Sequence, residues 1–275
     1  MIFCSLYSGS SGNSILVGSE KTKILIDAGL SGKKIIDGLQ EVGQNPNEID
    51  GIFITHEHSD HIKGAGILSR KFNIPIYANE LTWKAMEKSL GKIKEENIKI
   101  MPKRSTMSLN DLDITSFNTP HDSVASTGYT IKHKGKSASI ATDIGTFTEE
   151  ILRNIRESEV ILLESNHDVQ MVKFGPYPYE LKRRVLSEVG HLSNEDCGKA
   201  IVDIMKHDMH RKIILGHLSN TNNVPELAEQ AVINVLNAHK INIGKDLELK
   251  LADRHKPSSC LLYTSPSPRD GLLSR

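Results

Sequence analysis

The chain carries 34 basic and 34 acidic side chains in 275 residues, a net charge of zero, and 38% of it is hydrophobic. That is the composition of a globular protein with one large α/β domain or two smaller ones, and the neutral balance argues against continuous wrapping around nucleic acid. Three cysteines with no pair at CxxC spacing fit a reducing compartment without structural disulfides, and no apolar run approaches the roughly 18 residues of a membrane span, so a cytoplasmic protein is expected.

Taken in order, residues 2–6 alternate and lead into the small-residue loop Ser8-Gly-Ser-Ser-Gly-Asn-Ser14, after which residues 15–17 are apolar again, a hairpin signal. Ser10 and Asn13 of this loop are candidate contacts to an anionic substrate, as nests of backbone N–H groups are; an ordinary turn is the alternative. Residues 23–26 form an apolar strand that ends in Asp27. A carboxylate on an apolar run needs a partner, and its expected task is to accept a hydrogen bond from a metal-binding histidine or its backbone. A helix follows, with Ile35, Ile36, Leu39 and Val42 at helical spacing.

Residues 52–55 are a further apolar strand, and they run directly into His56-Glu-His-Ser-Asp-His61. His56 and His58, two apart past a strand end, can project the same way, whereas Asp60 and His61 start the next helical turn near Ser59 and approach from another side. The spacing therefore points to two metal sites. Imidazole suits zinc, iron or manganese, and the carboxylate adds a hard oxygen. Trp83 falls in a later helical segment and reads as core.

Residues 98–101 and 112–117 read as strands, the second leading to His121, which supplies the ligand that His56 and His58 lack. Residues 128–132 and 137–142 pair about Lys134-Gly135 and end in Asp143, placed to bridge two cations about 3.5–4 Å apart. Residues 160–163 end in Glu164, with His167 nearby, and residues 213–216 deliver His217. Ser193, with Asp196 three residues on, caps a helix behind Gly190-His191, and Pro225 starts a last helix whose inner face is expected at Leu227, Ala231 and Val235. Five times an apolar strand ends in a metal-competent residue: Asp27, His56, Asp143, Glu164 and His217. Two strand-rich halves, about 1–115 and 116–255, suggest two sheets packed face to face with helices outside.

With Asp27 before it and His121, Asp143 and His217 after it, the His56–His61 motif resembles the metallo-β-lactamase fold hydrolases over residues 1–255. The resemblance implies an α/β fold, an αββα four-layer sandwich of two mixed sheets flanked by helices. It implies two divalent ions, zinc or manganese, one held by His56, His58 and His121 and the other by Asp60, His61 and His217, with Asp143 bridging. Gly190-His-Leu-Ser ahead of His217 is similar to the tRNA-processing endonuclease arrangement, in which His191, paired with Glu164, would donate a proton to the leaving oxygen. Asp60, His191 and Glu164 are thus the catalytic candidates.

Several segments are most similar to the YycJ/WalJ family: Ser8-Gly-Ser-Ser-Gly-Asn-Ser14, Glu164-Ser-Asn-His-Asp168, Tyr177-Pro-Tyr-Glu-Leu-Lys182, Gly190-His-Leu-Ser-Asn194 and His217-Leu-Ser-Asn-Thr-Asn-Asn223. That resemblance implies a cytoplasmic 5′-to-3′ exonuclease on double-stranded DNA. Lys182, Arg183 and Arg184 would then hold the backbone, although a short basic run is also the ordinary solvated face of a helix. Alternatives are a small-molecule hydrolase of cyclic phosphodiesters, lactones or thioesters, and, last, a non-catalytic metal-binding regulator. The tail from Cys260 through Asp270 reads like the translation of a sequencing-library adaptor, so the domain is taken as 1–259 and residues 260–275 as a non-native or disordered tail.

Overall fold

The computed structural model describes residues 1–207, 209–258 and 260–262. The first sheet takes β1 (Ile2–Tyr7), β2 (Ser14–Gly18), β3 (Lys23–Ile26), β4 (Gly51–Phe53), β5 (Ile76–Ala78) and β6 (Ile98–Ile100). The second takes β7 (Thr106–Leu109), β8 (Leu112–Asn118), β9 (Thr127–His133), β10 (Lys136–Ala141), β11 (Val160–Glu164), β12 (Arg211–Gly216) and β13 (Leu247–Leu251). A short β14 (Leu261–Leu262) returns to the edge of the first sheet beside β1, so both sheets have seven strands. Each is an antiparallel meander that continues as a parallel array, β3-β4-β5-β6 in one and β10-β11-β12-β13 in the other.

Outside the first sheet lie α1 (Gly32–Glu41), α2 (Ser59–Ile62), α3 (Ala65–Phe72) and α4 (Glu80–Leu90). Outside the second lie α5 (Glu149–Ile155), α8 (Asn194–Met205) and α9 (Pro225–Ala238), and between β11 and α8 the chain forms α6 (Val169–Phe174) and α7 (Tyr179–Val185). The layering follows from strands that are apolar on both faces. In β3, Ile24 and Ile26 enter the core between the sheets while Leu25 packs under helices; in β11, Val160 and Leu162 face the first sheet while Ile161 and Leu163 meet α5 and α8. Each such side chain contributes about 1.5–3 kcal/mol by leaving water, and the result is the expected αββα sandwich.

Three expectations need correction. The division between sheets falls between Ile100 and Thr106, not near 115, because β7 and β8 pair as a hairpin and carry the strand at Leu112 into the second sheet. The inner face of α9 is Ala228, Val232 and Leu236, one residue later than expected; Val235 instead covers Gly198 of α8. Cys4 and Cys260 are joined as a disulfide across 256 residues, with Cα atoms 4.3 Å apart. The β14–β1 pairing supplies that proximity, which no sequence spacing announces. Of the tail set aside, Leu261 and Leu262 pair with Phe3 and Ile2, and residues 263–275 lie outside the described residues.

Parallel neighbours place their C-terminal ends on one edge, and the polar residues sit there. Asp27 follows β3, His56 lies just past β4, Asp143 just past β10, Glu164 closes β11 and His217 follows β12. Asp27, Asp143 and His217 take left-handed backbone conformations, with φ of 62°, 56° and 55°. The loops at this edge interlock through Gly29, whose N–H donates to the Asn13 carbonyl while the Asn13 N–H donates to the Asp60 carbonyl. A Cβ on Gly29 would stand 1.6 Å from that Asp60 oxygen. Gly29→Ala is therefore expected to lower the melting temperature by roughly 5 °C or more and to displace Asp60; a melt equal to that of the unmutated chain would show that this contact does not hold the edge together.

Candidate active site

The motif leaves β4 through Thr55, whose N–H and hydroxyl donate to Asp27 Oδ1 and Oδ2 at 2.8 and 2.9 Å. Asp27 Oδ2 also accepts from His61 Nδ1 at 2.7 Å. The turn is fixed further by Ala28 N–H to His61 O and Gly64 N–H to Ala28 O. These contacts turn the Nε2 edge of His61 outward. Other rings are oriented in the same way: His121 Nδ1 meets Gly190 O at 3.1 Å, and His217 Nδ1 meets Glu164 Oε1 at 2.9 Å. A histidine that donates from one nitrogen presents a lone pair at the other.

Among the described residues the potential donor atoms gather in four overlapping groups, each with its atoms within 4.8 Å of one another: His56, His58 and His121 form a first, Asp60, His61 and His217 a second, and Asp143 enters two more, with His56 and His61 and with Glu164, His191 and His217. In the first group His58 Nδ1 stands 3.1 Å from His56 Nε2 and 3.3 Å from His121 Nε2. In the second, Asp60 Oδ2 is 3.6 Å from Nε2 of both His61 and His217. Asp143 lies between them, with Oδ2 3.2 Å from His61 Nε2 and Oδ1 3.6 Å from His121 Nε2 and from His217 Nε2.

The carboxylates here favour positive charge at the rings, carried by ring protons that a divalent ion would displace on binding. Burial alone would push the His61 and His217 rings toward neutrality. The carboxylates of Asp143, Asp27 and Asp60 outweigh it for His61 and hold its pKa well above the ordinary value; Asp143, Asp60 and Glu164 raise His217 to about 10. Burial raises the Asp143 carboxyl, but His217, His61 and His56 pull it well below the usual range. On the other side, burial and the neighbouring His61 push His56 well down. Asp143 Oδ2 and His217 Nε2 are buried without a hydrogen bond of normal geometry. Imidazole nitrogens facing one another and orphaned buried donor atoms beside anionic oxygens are what divalent ions would satisfy, so the residues fit such a group.

At the rim, His191 Nδ1 lies 2.8 Å from Glu164 Oε1, the oxygen that also meets His217. Glu164 is completely buried, and its Oε2 accepts from the N–H groups of Ile144 and Leu192. The expected contacts to substrate are placed differently. Asn13 is turned inward, its amide beside His61 Nε2 and Gly9 O; Ser10 is exposed and accepts from Asn220 N–H. Lys182 donates to Lys173 O at 2.9 Å. His167 is buried, and burial lowers its pKa to about 4. Sequence reasoning missed Ser8, whose Oγ accepts from His217 N–H, and Asn166, whose amide donates to His217 O. Thr55 was also passed over, although it stands immediately before the motif.

A metal-donor cluster at the strand ends of an αββα sandwich defines a hydrolase domain of the metallo-β-lactamase kind. The profile of the Beta-lactamase superfamily domain matches residues 22–218. The chain is 43% identical over 246 residues to exodeoxyribonuclease WalJ of Streptococcus pneumoniae, covering 89% of this chain and 91% of that protein. It is 39% identical over 256 residues to exodeoxyribonuclease YycJ of Bacillus anthracis, covering 93% and 97%. It therefore belongs to the WalJ/YycJ family within that superfamily. The crystal structure of unliganded yeast PDE1 shares the fold, with a TM-score of 0.70 at 13% identity over 93% of this chain and 98% of that one.

Because Asp27 orients His61 without reaching the donor cluster itself, Asp27→Asn is expected to weaken zinc or manganese binding by about 10- to 100-fold. Competition against a calibrated chelator measures this, and unchanged affinity would remove Asp27 from the orienting role.

Proposed function

We propose that this protein is a divalent-metal-dependent exodeoxyribonuclease that hydrolyses double-stranded DNA from the 5′ end in the cytoplasm, with two ions, zinc or manganese. The observation that carries the reading is the forked contact of Glu164 Oε1 to His217 and to His191, found in a chain whose curated relatives are exodeoxyribonucleases. It joins the donor cluster to a proton-bearing group at its rim. His56, His58 and His121 would hold one ion, Asp60, His61 and His217 the other, and Asp143 would touch both. Ions bound there supply charge stabilisation at phosphoryl oxygens and water of lowered pKa.

The chain's own residues do the rest. Burial favours the neutral Glu164 carboxyl, but His191 and His217 outweigh it and hold its pKa down at about 2, so it remains an anion. Burial likewise opposes charge on His191, and Glu164 with Asp143 overcomes it, raising the imidazole's pKa. The ring is thereby held with Nδ1 on Glu164 and the Nε2 edge available to protonate a departing alkoxide. No helix among the described residues is long and apolar enough to cross a membrane. We also take the native domain as residues 1–259 and residues 260–275 as a non-native or disordered tail; on the non-native reading the Cys4–Cys260 disulfide and β14 would not belong to the natural chain, and genomic reads across codon 260 would decide.

End-labelled, 5′-phosphorylated duplex DNA incubated with the manganese- or zinc-loaded chain is expected to shorten progressively from the 5′ end. Asp143→Asn should abolish that loss and reduce bound metal. Hydrolysis of a small phosphodiester or thioester with no cleavage of DNA would overturn the proposal. His191→Ala should keep its metal and lose about 10²-fold or more in single-turnover rate; full activity would exclude it as the acid.

A further inference from the structure

The connection between Glu164 and His191 contains α6 and α7, and its surface has features that hydrolysis alone does not explain. Asp168 caps α6 by accepting from Met171 N–H, and Lys182 Nζ on α7 donates to Lys173 O on α6, so the two helices are tied together. Their outer side leaves Phe174 84% and Tyr179 71% exposed. The Arg183 guanidinium stands 5.9 Å from the Tyr179 ring centre. Over residues 169–186 the cations Lys173, Lys182, Arg183 and Arg184 meet one carboxylate, Glu180.

The end of α7 is locked against the site. His191 N–H donates to Val185 O, and a Cβ on Gly190 would lie 2.2 Å from Arg184 O. Arg184 forms a two-pronged pair with Asp122 through Nε and Nη2, and Asp122 Oδ1 is 3.4 Å from His121 Nε2. The Arg184 side chain is nevertheless 51% exposed. It also lies within the field of Asp60 and Asp143. Of the three consecutive basic residues, Arg184 is the one tethered beside the metal donors.

We propose that the α6–α7 pair is the surface that grips a DNA strand next to the active site, with Arg184 on a phosphate and Phe174 and Tyr179 stacked on bases. This rests on the exodeoxyribonuclease reading and names the part of the chain that would hold the strand. Aromatic faces interleaved with cations match unpaired nucleotides, because every base offers a π face and every linkage a negative charge. The surface continues directly into the donor cluster through Asp122 and His121. An arginine fixed by a carboxylate meets a phosphate with its orientation already set.

The test uses the full, manganese-loaded chain and a fluorescent phosphorothioate oligonucleotide that resists hydrolysis, in single-stranded form and as a duplex with a frayed end. Phe174→Ala/Tyr179→Ala removes exposed rings only, and it is expected to raise the dissociation constant by about tenfold or more, with KM for cleavable DNA rising more than kcat falls. Arg184→Met should weaken binding and flatten the slope of log affinity against log salt by about one unit, and Arg184→Lys should restore part of both. Lys206→Ala, just past the C-terminal end of α8, serves as the control and should match the unmutated chain. If the aromatic and arginine variants bind and cut DNA as the unmutated chain does, the surface serves some other molecule and this inference is wrong. If the unmutated chain binds and cuts no DNA, the nuclease reading falls and this inference with it.

Discussion

Buried carboxylate charge is the constraint on which the molecule depends. Asp27, Asp143 and Glu164 are nearly inaccessible to water, and an uncompensated ion in that position costs several kcal/mol. Two of them are met by named donors: Asp27 takes Thr55 and His61, and Glu164 takes His191, His217 and two backbone N–H groups. Asp143 faces the Nε2 atoms of His61, His121 and His217 but keeps Oδ2 without a hydrogen bond, the place a divalent ion would fill. Because each anion answers to more than one partner, the imidazoles cannot turn independently. The rigidity of the site is a result of paying that desolvation cost.

The fold provides the means. Two parallel arrays end at one edge, so donors arrive from both sheets without long loops. Left-handed backbone at Asp27, Asp143 and His217 costs of order 1 kcal/mol or more at each position. Around these positions Asp27 N–H bonds Phe53 O, Ile144 N–H bonds Glu164 Oε2 and His217 N–H bonds Ser8 Oγ. The turns after β10 and β12 are thereby fixed in the direction that sends Asp143 and His217 into the cluster, and the turn after β3 holds Asp27 against His61.

The two donor groups are also linked to one another. Gly190 O orients His121, the next residue His191 rests on Glu164, and Glu164 holds His217. One short segment thus connects the histidine of the first group to that of the second and places His191 between them. The same segment is braced by α7, which carries Arg184 to Asp122 beside His121. Hydrolysis and strand holding would therefore share a scaffold, and a displacement of α7 would be felt at both.

Sequence by itself determined most of the strands, the two-sheet layering and the polar residues at the strand ends, though not β7, β13 or where one sheet gives way to the other. Apolar runs that stop at Asp27, His56, Asp143, Glu164 and His217 are local patterns, and periodicity is a property of neighbours along the chain. The Lys134-Gly135 turn and the Ser193 cap were legible for the same reason. Tertiary structure decided the partners. Asp27 reaches His61 across 34 residues, Glu164 reaches His217 across 53, and Arg184 reaches Asp122 across 62. It also turned Asn13 inward, tied Lys182 to α6, rotated α9 by one residue and brought Cys4 to Cys260. A side chain's role at such positions depends on which distant group desolvates or pairs it, and that information exists only once the two sheets have closed on each other.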